Sequence, residues 1–328
     1  MLSLLVRQQF FPPLRRTRVI PAFLGPQGSG KTSGVRLYGR LLLGEKFDVT
    51  GVQRDREDAY VAAITNRTVL GLDNVDSKIP WLPDALALYA TGQRYRLRRL
   101  YTTNEEVSYS PRAILLLSSR DPRFNRPDVT ERLLPFNFTR PELYMAEEQI
   151  FSELAKRRGQ IMGALLSSVA QIADTLRTQP PTAVAYRMAD FAVFGHRIYS
   201  GAGRGDEFLA LLKKVEKRQA EFAADGDGVI AALAVLLNKI QGTTVELPVG
   251  ELYKQTREIA DSEGFAFPAN AQGFGQRLSA MRRVIAIELG ATYSEFRGHA
   301  RHRIIRLAPV KLAKPGPFPV QHHERNGG

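Results

Sequence analysis

The chain has 328 residues, a net charge of +13 and 44% hydrophobic residues, the balance of a folded, basic protein with room for two or three domains. It has no cysteine, which excludes disulfides and thiolate metal sites, and its five histidines are scattered. The longest apolar stretch, residues 228–237, is far shorter than the roughly 20 residues of a spanning helix. Residues 1–11 lack the basic start of a signal peptide, so the expectation is a cytoplasmic protein with no membrane contact. A surplus of Lys and Arg on this scale points to a polyanionic partner such as nucleic acid, with a solubility role as the alternative.

Residues 1–17 read as an N-terminal arm. From 18 to 140, short apolar runs alternate with helical stretches, the pattern of an α/β fold with a parallel sheet flanked by helices. Strands are expected at 19–24, 47–52, 68–72 and 113–117, and helices at 31–42, 57–64 and 82–89, the last with Pro83 in its first turn. Residues 141–240 read as a helical lid or middle domain, with helical apolar spacing in 150–176 and 208–222 and turn clusters at 179–181 and 200–205. Residues 241–310 give helices at 249–261 and 273–289, then strands at 292–296 and 303–307 around the basic turn 297–301, the order of a winged helix. The tail, 311–328, contains Pro and Gly and reads as flexible.

Gly25-Pro26-Gln27-Gly28-Ser29-Gly30-Lys31-Thr32 matches the G-x-x-x-x-G-K-[ST] P-loop between an expected strand and an expected helix. Its glycines let the backbone N–H groups curl around phosphates, and the helix directs its positive end at the same charge. Lys31 is expected to neutralise the β and γ phosphates of ATP, with Thr32 holding Mg²⁺ and Ser33 completing the cradle. Asp73, at the end of the apolar run 68–72, is the Walker B candidate for the same Mg²⁺; the plainer reading is a carboxylate ending a strand at a turn. Asn74 follows it and cannot take a proton, so Asp76 and Asp84 are weighed as bases against roles as turn or helix caps. Ser118, ending the run 113–117, could reach between the two phosphate-binding elements as a sensor, or simply form a turn. Arg132 stands before an apolar strand, placed to reach a neighbouring subunit's γ-phosphate or to pair with Glu131.

With Trp81-Leu82-Pro83-Asp84-Ala85-Leu86, Ala90-Thr91-Gly92, Arg98-Arg99-Leu100-Tyr101-Thr102, Arg126-Pro127-Asp128 and Arg132, the P-loop and Asp73-Asn74 resemble the superfamily 3-like AAA+ ATPases of phage and mobile-element primase-helicases, relatives of the poxvirus-type helicase-primase. Gly163-Ala164-Leu165-Leu166 and Arg187-Met188-Ala189-Asp190-Phe191 extend the resemblance, which covers about 18–310. It implies a homo-oligomeric ring, a hexamer, that hydrolyses ATP at subunit interfaces and translocates along single-stranded DNA. Arg132 would then be a finger in trans and Arg187 a second sensor, the plainer reading of Arg187 being a helix-end arginine. The stretch after Thr91-Gly92 would form a channel hairpin carrying Arg94, Arg96, Arg98 and Arg99, interleaved with Tyr95 and Tyr101. A solvated edge strand protected by charge is the alternative.

Two positions depart from the family pattern: Gln93 where a second glycine is common, and Ser118 where an asparagine is usual. No zinc-binding primase module fits before Val19, so a primase or loader is expected as a separate protein. In the C-terminal module Arg277, Arg282 and Arg283 on a recognition helix, with Arg297, Arg301 and Arg303 on the wing, are expected to contact duplex DNA phosphates. The reading is an ATP-dependent DNA helicase or translocase for replication of a phage or mobile element. An ATP-switched DNA-binding initiator or regulator is the alternative. A P-loop kinase is a third reading, and it leaves the basic hairpin and winged helix without a role.

Overall fold

The computed structural model describes residues 1–75, 79–98, 106–120, 126–240, 243–297 and 303–309, and the chain divides into two units at Asp227 and Gly228. The first is built on a five-stranded parallel sheet of β1 (Ile20–Leu24), β2 (Thr50–Gly51), β3 (Val69–Asp73), β6 (Ile114–Ser119) and β7 (Leu133–Asn137), in the order β2-β3-β6-β1-β7. β1 and β6 are buried along their whole length, as a parallel sheet covered by helices on both faces requires. Helices α2 (Lys31–Leu43), α3 (Glu57–Asn66), α4 (Leu82–Thr91) and the short α5 (Pro127–Thr130) lie between the strands in sequence. The α/β expectation is met at this level.

The strand expected at 47–52 is reduced to two residues. Phe47 is buried in the core with its ring against Gly39 of α2, where a Cβ would collide with it, so the segment reaches the sheet edge only at Thr50. Beyond α4 the chain forms the antiparallel pair β4 (Tyr95–Arg98) and β5 (Glu106–Tyr109), with Tyr95 opposite Tyr109 and Arg96 opposite Ser108. An antiparallel hairpin thus follows Thr91-Gly92, where one was expected.

Helices α6 (Glu147–Thr178), α7 (Ala189–Gly201) and α8 (Gly205–Ala224) belong to the same unit as the sheet. Buried Gln219 on α8 fixes this packing: its amide donates to Leu133 O at 2.6 Å and Glu131 O at 3.2 Å, covering the edge strand β7. At the other side Arg158 on α6 donates to the C-terminal carbonyls of α2, to Leu41 O at 2.9 Å and Leu42 O at 3.2 Å, placing a cation where the helix dipole is negative. Residues 1–17 form α1 (Leu2–Gln8) and a 3-10 turn at Pro12–Leu14, with Leu4 and Leu5 in the core.

The second unit contains α9 (Gly228–Lys239), β8 (Val245–Pro248), α10 (Val249–Glu263), α11 (Ala271–Ala280), α12 (Arg282–Glu288), β9 (Ala291–Arg297) and β10 (Arg303–Pro309), its antiparallel sheet ordered β8-β10-β9. The single helix expected at 273–289 is two, divided at fully buried Met281 (φ −93°, ψ 8°). Asn270 starts α11 by accepting from Gly273 N at 2.8 Å. Tyr253, Phe267 and Phe274 pack together with ring centroids 5.4–5.9 Å apart. Among the described residues no helix is long and apolar enough to cross a membrane.

Candidate functional site

Parallel β1 and β3 both deliver their C-terminal ends to one edge of the sheet, and the loop Gly25–Gly30 leaves β1 there to enter α2. Gly25 has φ 153° and a Cβ would collide with the Phe138 carbonyl oxygen; Gly30 has φ 82° and caps α2 without any side-chain hydrogen bond. The first N–H groups of α2 are thereby left to the concave face of the loop. Ser29 is buried inside the curl, its hydroxyl without a partner. Lys31 Nζ donates to Pro26 O across the loop at 2.7 Å. Burial lowers the Lys31 pKa, Asp73 opposes that, and Arg120 adds to it.

Thr32, one residue into the helix, donates its hydroxyl hydrogen to Asp73 Oδ1 at 2.8 Å. The same Oδ1 accepts from Ser118 Oγ at the end of β6, and Ser118 Oγ accepts from Asn74 N at 3.3 Å. Because β6 lies between β1 and β3, Ser118 sits between the loop and the acid. Asn74 has φ 49°, the one left-handed non-glycine among the described residues, and asparagine tolerates that geometry. The cradle, the lysine and the hydroxyl–carboxylate pair suit a polyanion that carries a divalent cation.

Three contacts around the loop had no local signature in the sequence. Arg140 Nε donates to Gln27 O at 3.0 Å, Tyr144 lies over Gly28, and Glu147 accepts from Ser33 Oγ at 2.8 Å and Arg36 Nη1 at 3.0 Å. These partners are more than 100 residues away in the chain, beyond the reach of any motif. Asp76 lies outside the described residues; Asp84 is exposed and bound to Arg126 Nη1 at 2.6 Å.

Arg132 and Arg187 are not brought to the loop of their own chain. Ile20 pairs with Leu133 at the start of β1, so Arg132 lies at the opposite edge of the sheet, with the roughly 13 Å length of the strand between. Arg132 is 8% exposed and donates to Asp128 O, and burial, then the neighbouring Arg187, lower its pKa. Arg187 Nε stands 3.7 Å from Glu131 Oε2. On the hairpin Arg94 and Arg96 are exposed, while Tyr95 is buried and donates to Ala85 O at 2.6 Å. Arg99, Arg301 and the Arg98 side chain lie outside what the structure describes.

In the second unit Arg303 on β10 is held by Glu295 of β9 at 2.5 Å and donates to Gly275 O, and Arg306 pairs with Glu246 at 2.6 Å. Arg282 lies over the Tyr293 ring, 5.8 Å from its centroid, and Arg297 is exposed at the end of β9. Arg277 is on α11 and Arg282 and Arg283 are on α12, so the break at Met281 separates Arg277 from the other two arginines expected on one recognition helix.

A family model described as the actinomycete integrative conjugative element replication protein matches residues 13–212. The chain belongs to this family. The mobile-element replication role expected from the resemblance is thus met in its coarser form. The match takes in the loop, Asp73, Ser118, the hairpin and the α6–α7 segment of this replication protein, and leaves its second unit outside. No curated protein matches the chain. Solved apo structures of the NrS-1 C-terminal region are similar at 13% and 14% identity with a TM-score of 0.39, covering 94% of this chain and 71% of theirs.

Proposed function

We propose that the chain is an ATP-dependent DNA helicase or translocase of the superfamily 3-like AAA+ type, working in mobile-element replication as a homo-oligomeric ring. The observation that carries the reading is the contact of Thr32 with Asp73 beside Lys31, at the mouth of a loop whose buried Ser29 hydroxyl has no partner. Thr32 and Asp73 would hold Mg²⁺, and Lys31 would exchange Pro26 O for the β and γ phosphates. Bound Mg²⁺-ATP would supply the phosphoryl group and the ion that offsets its charge. Ser118, held by Asp73 and Asn74 N, is positioned to orient water. Asn74 offers no base, and among the nearby described carboxylates Asp84 is engaged by Arg126.

Support for a ring comes from the opposite edge. Arg132 and Arg187 cannot serve their own loop, and a neighbouring subunit that docks its loop there would gain both charges. The exposed Arg94 and Arg96 support a strand-binding hairpin, and the β9–β10 ribbon behind α11 and α12 supports a winged helix on duplex DNA. The deciding experiment is ATP turnover at fixed low salt, with and without single-stranded DNA, alongside mass in solution with nucleotide. Stimulation by DNA with a ring-sized mass supports the reading. Unstimulated turnover by a monomer overturns it, and stimulation without strand separation favours an ATP-switched initiator.

A further inference from the structure

At the sheet edge opposite the loop lies a cavity of about 350 Å³, bounded by Gln9, Arg15, Arg18, Thr68, Pro111 and Arg112. Arg15, Arg18 and Arg112 all line it, and among the described residues no carboxylate pairs with any of them. Arg18 Nη1 donates to Pro111 O at 2.9 Å and its guanidinium lies over the Tyr89 ring, while its Nε is buried with no partner. Arg15 is shielded from water, with the Tyr89 hydroxyl and the Arg18 guanidinium near enough to act on its charge. The Tyr38 hydroxyl, close enough to act on Arg15, is also buried and unpartnered. Sequestered cations are costly unless an anion meets them, and the planar guanidinium fork matches phosphate oxygens in pairs.

Position narrows the ligand further. Pro111 and Arg112 carry the chain out of β5, so the cavity opens at the foot of the β4–β5 hairpin that exposes Arg94 and Arg96. We propose that the cavity binds a phosphate group, supplied by the backbone of a nucleic-acid strand running along the hairpin or by free phosphate. This site is separate from the loop and does not rest on ATP hydrolysis.

The test is the melting temperature of the full chain in inorganic phosphate against chloride at equal ionic strength, in a Lys31→Ala background that disables the loop. Phosphate should raise it, and adding Arg112→Gln or Arg15→Gln should weaken the apparent phosphate affinity about tenfold or more. Arg112 is exposed, so its variant keeps the fold even where Arg15→Gln does not. No rise, or an equal rise with and without Arg112→Gln, overturns the site. Given that loss, the source follows from single-stranded oligonucleotide binding by Arg112→Gln alone. Weaker binding with a salt slope smaller by about one assigns a strand phosphate, and unchanged binding assigns free phosphate.

Discussion

Thr32 Oγ1 and Asp73 Oδ1 are 2.8 Å apart although 41 residues separate them, because α2 begins where β3 ends on the same edge of the sheet. On the proposed reading both oxygens turn to one Mg²⁺. Asp73→Asn keeps the shape and loses the charge, so ATP turnover should fall by about 10²–10³-fold, the range for removing one preorganised electrostatic partner. Thr32→Ser, which keeps the hydroxyl, should stay near wild type while Thr32→Val falls with Asp73→Asn. Steady-state turnover with nucleotide binding measured in parallel checks this, and an active Asp73→Asn protein would remove the acid from the site.

Gly25 and Gly30 both have positive φ, yet only Gly25 faces an obstacle, the Phe138 carbonyl oxygen. Gly30→Ala meets open space and should cost about 1–2 kcal/mol from left-handed strain alone. Gly25→Ala adds a collision with backbone and should cost more, with loss of nucleotide binding as the loop shifts. Urea unfolding of the two variants separates the cases, and equal losses would contradict the close approach to Phe138.

The loop, Asp73 and the central strands were legible because each rests on a local pattern: glycine spacing, or an apolar run ended by an acid. What escaped depends on distant partners. Phe47 looked like a strand residue and instead fills the space over Gly39. Gln219, Arg140 and Glu147 are ordinary polar residues in sequence and acquire roles only when α8 and α6 dock. A continuous helical pattern divides at Met281, which is buried between α11 and α12, and no local residue signals the break. Tyr95, alternating with arginines, could be read as stacking or packing until its hydroxyl was seen on Ala85 O.

That hairpin gives a paired prediction. Tyr95→Phe removes the donor to Ala85 O and leaves the buried Tyr60 hydroxyl without its partner, and should cost about 1–2 kcal/mol of stability with little change in DNA binding. Arg94→Ala with Arg96→Ala should leave stability and basal ATP turnover unchanged, abolish stimulation by single-stranded DNA and flatten the salt dependence of binding by about two in slope. Titrations at several salt concentrations check the second half. Equal loss of basal turnover would show that these arginines act on the site itself.

Glu295 links β9 to β10, and its pKa is held below the ordinary 4.5 by the Tyr293 hydroxyl first and then Arg303. A carboxyl depressed by folding contributes stability that is fully present above its unfolded value and is lost as pH falls through the lower folded value. Tyr293→Phe removes the larger cause, so the Glu295 pKa should move back toward 4.5, and the stability this group loses in acid should be smaller and complete at a higher pH. NMR titration of Glu295 in both proteins reads this directly, and an unchanged pKa would leave Arg303 as the cause.

Arg132 and Arg187 lie together at the strand edge opposite Lys31, so a chain lacking either should retain an intact loop and still fail to turn over ATP. Arg132→Ala alone should be inactive, as should Lys31→Ala. Mixed one to one in a ring, an interface between a Lys31→Ala subunit offering Arg132 and an Arg132→Ala subunit offering Lys31 is complete. Such interfaces form in one orientation only, so turnover should recover to roughly a quarter of wild type if interfaces act independently. Arg187→Ala should be complemented by Lys31→Ala in the same way, and being half-exposed it is the safer variant for folding. Circular dichroism confirms the fold of each partner before mixing. Absence of rescue in both pairs, with mass measurements showing mixed rings, would mean that the two arginines serve the packing of β7 against α8 and no neighbour's phosphate.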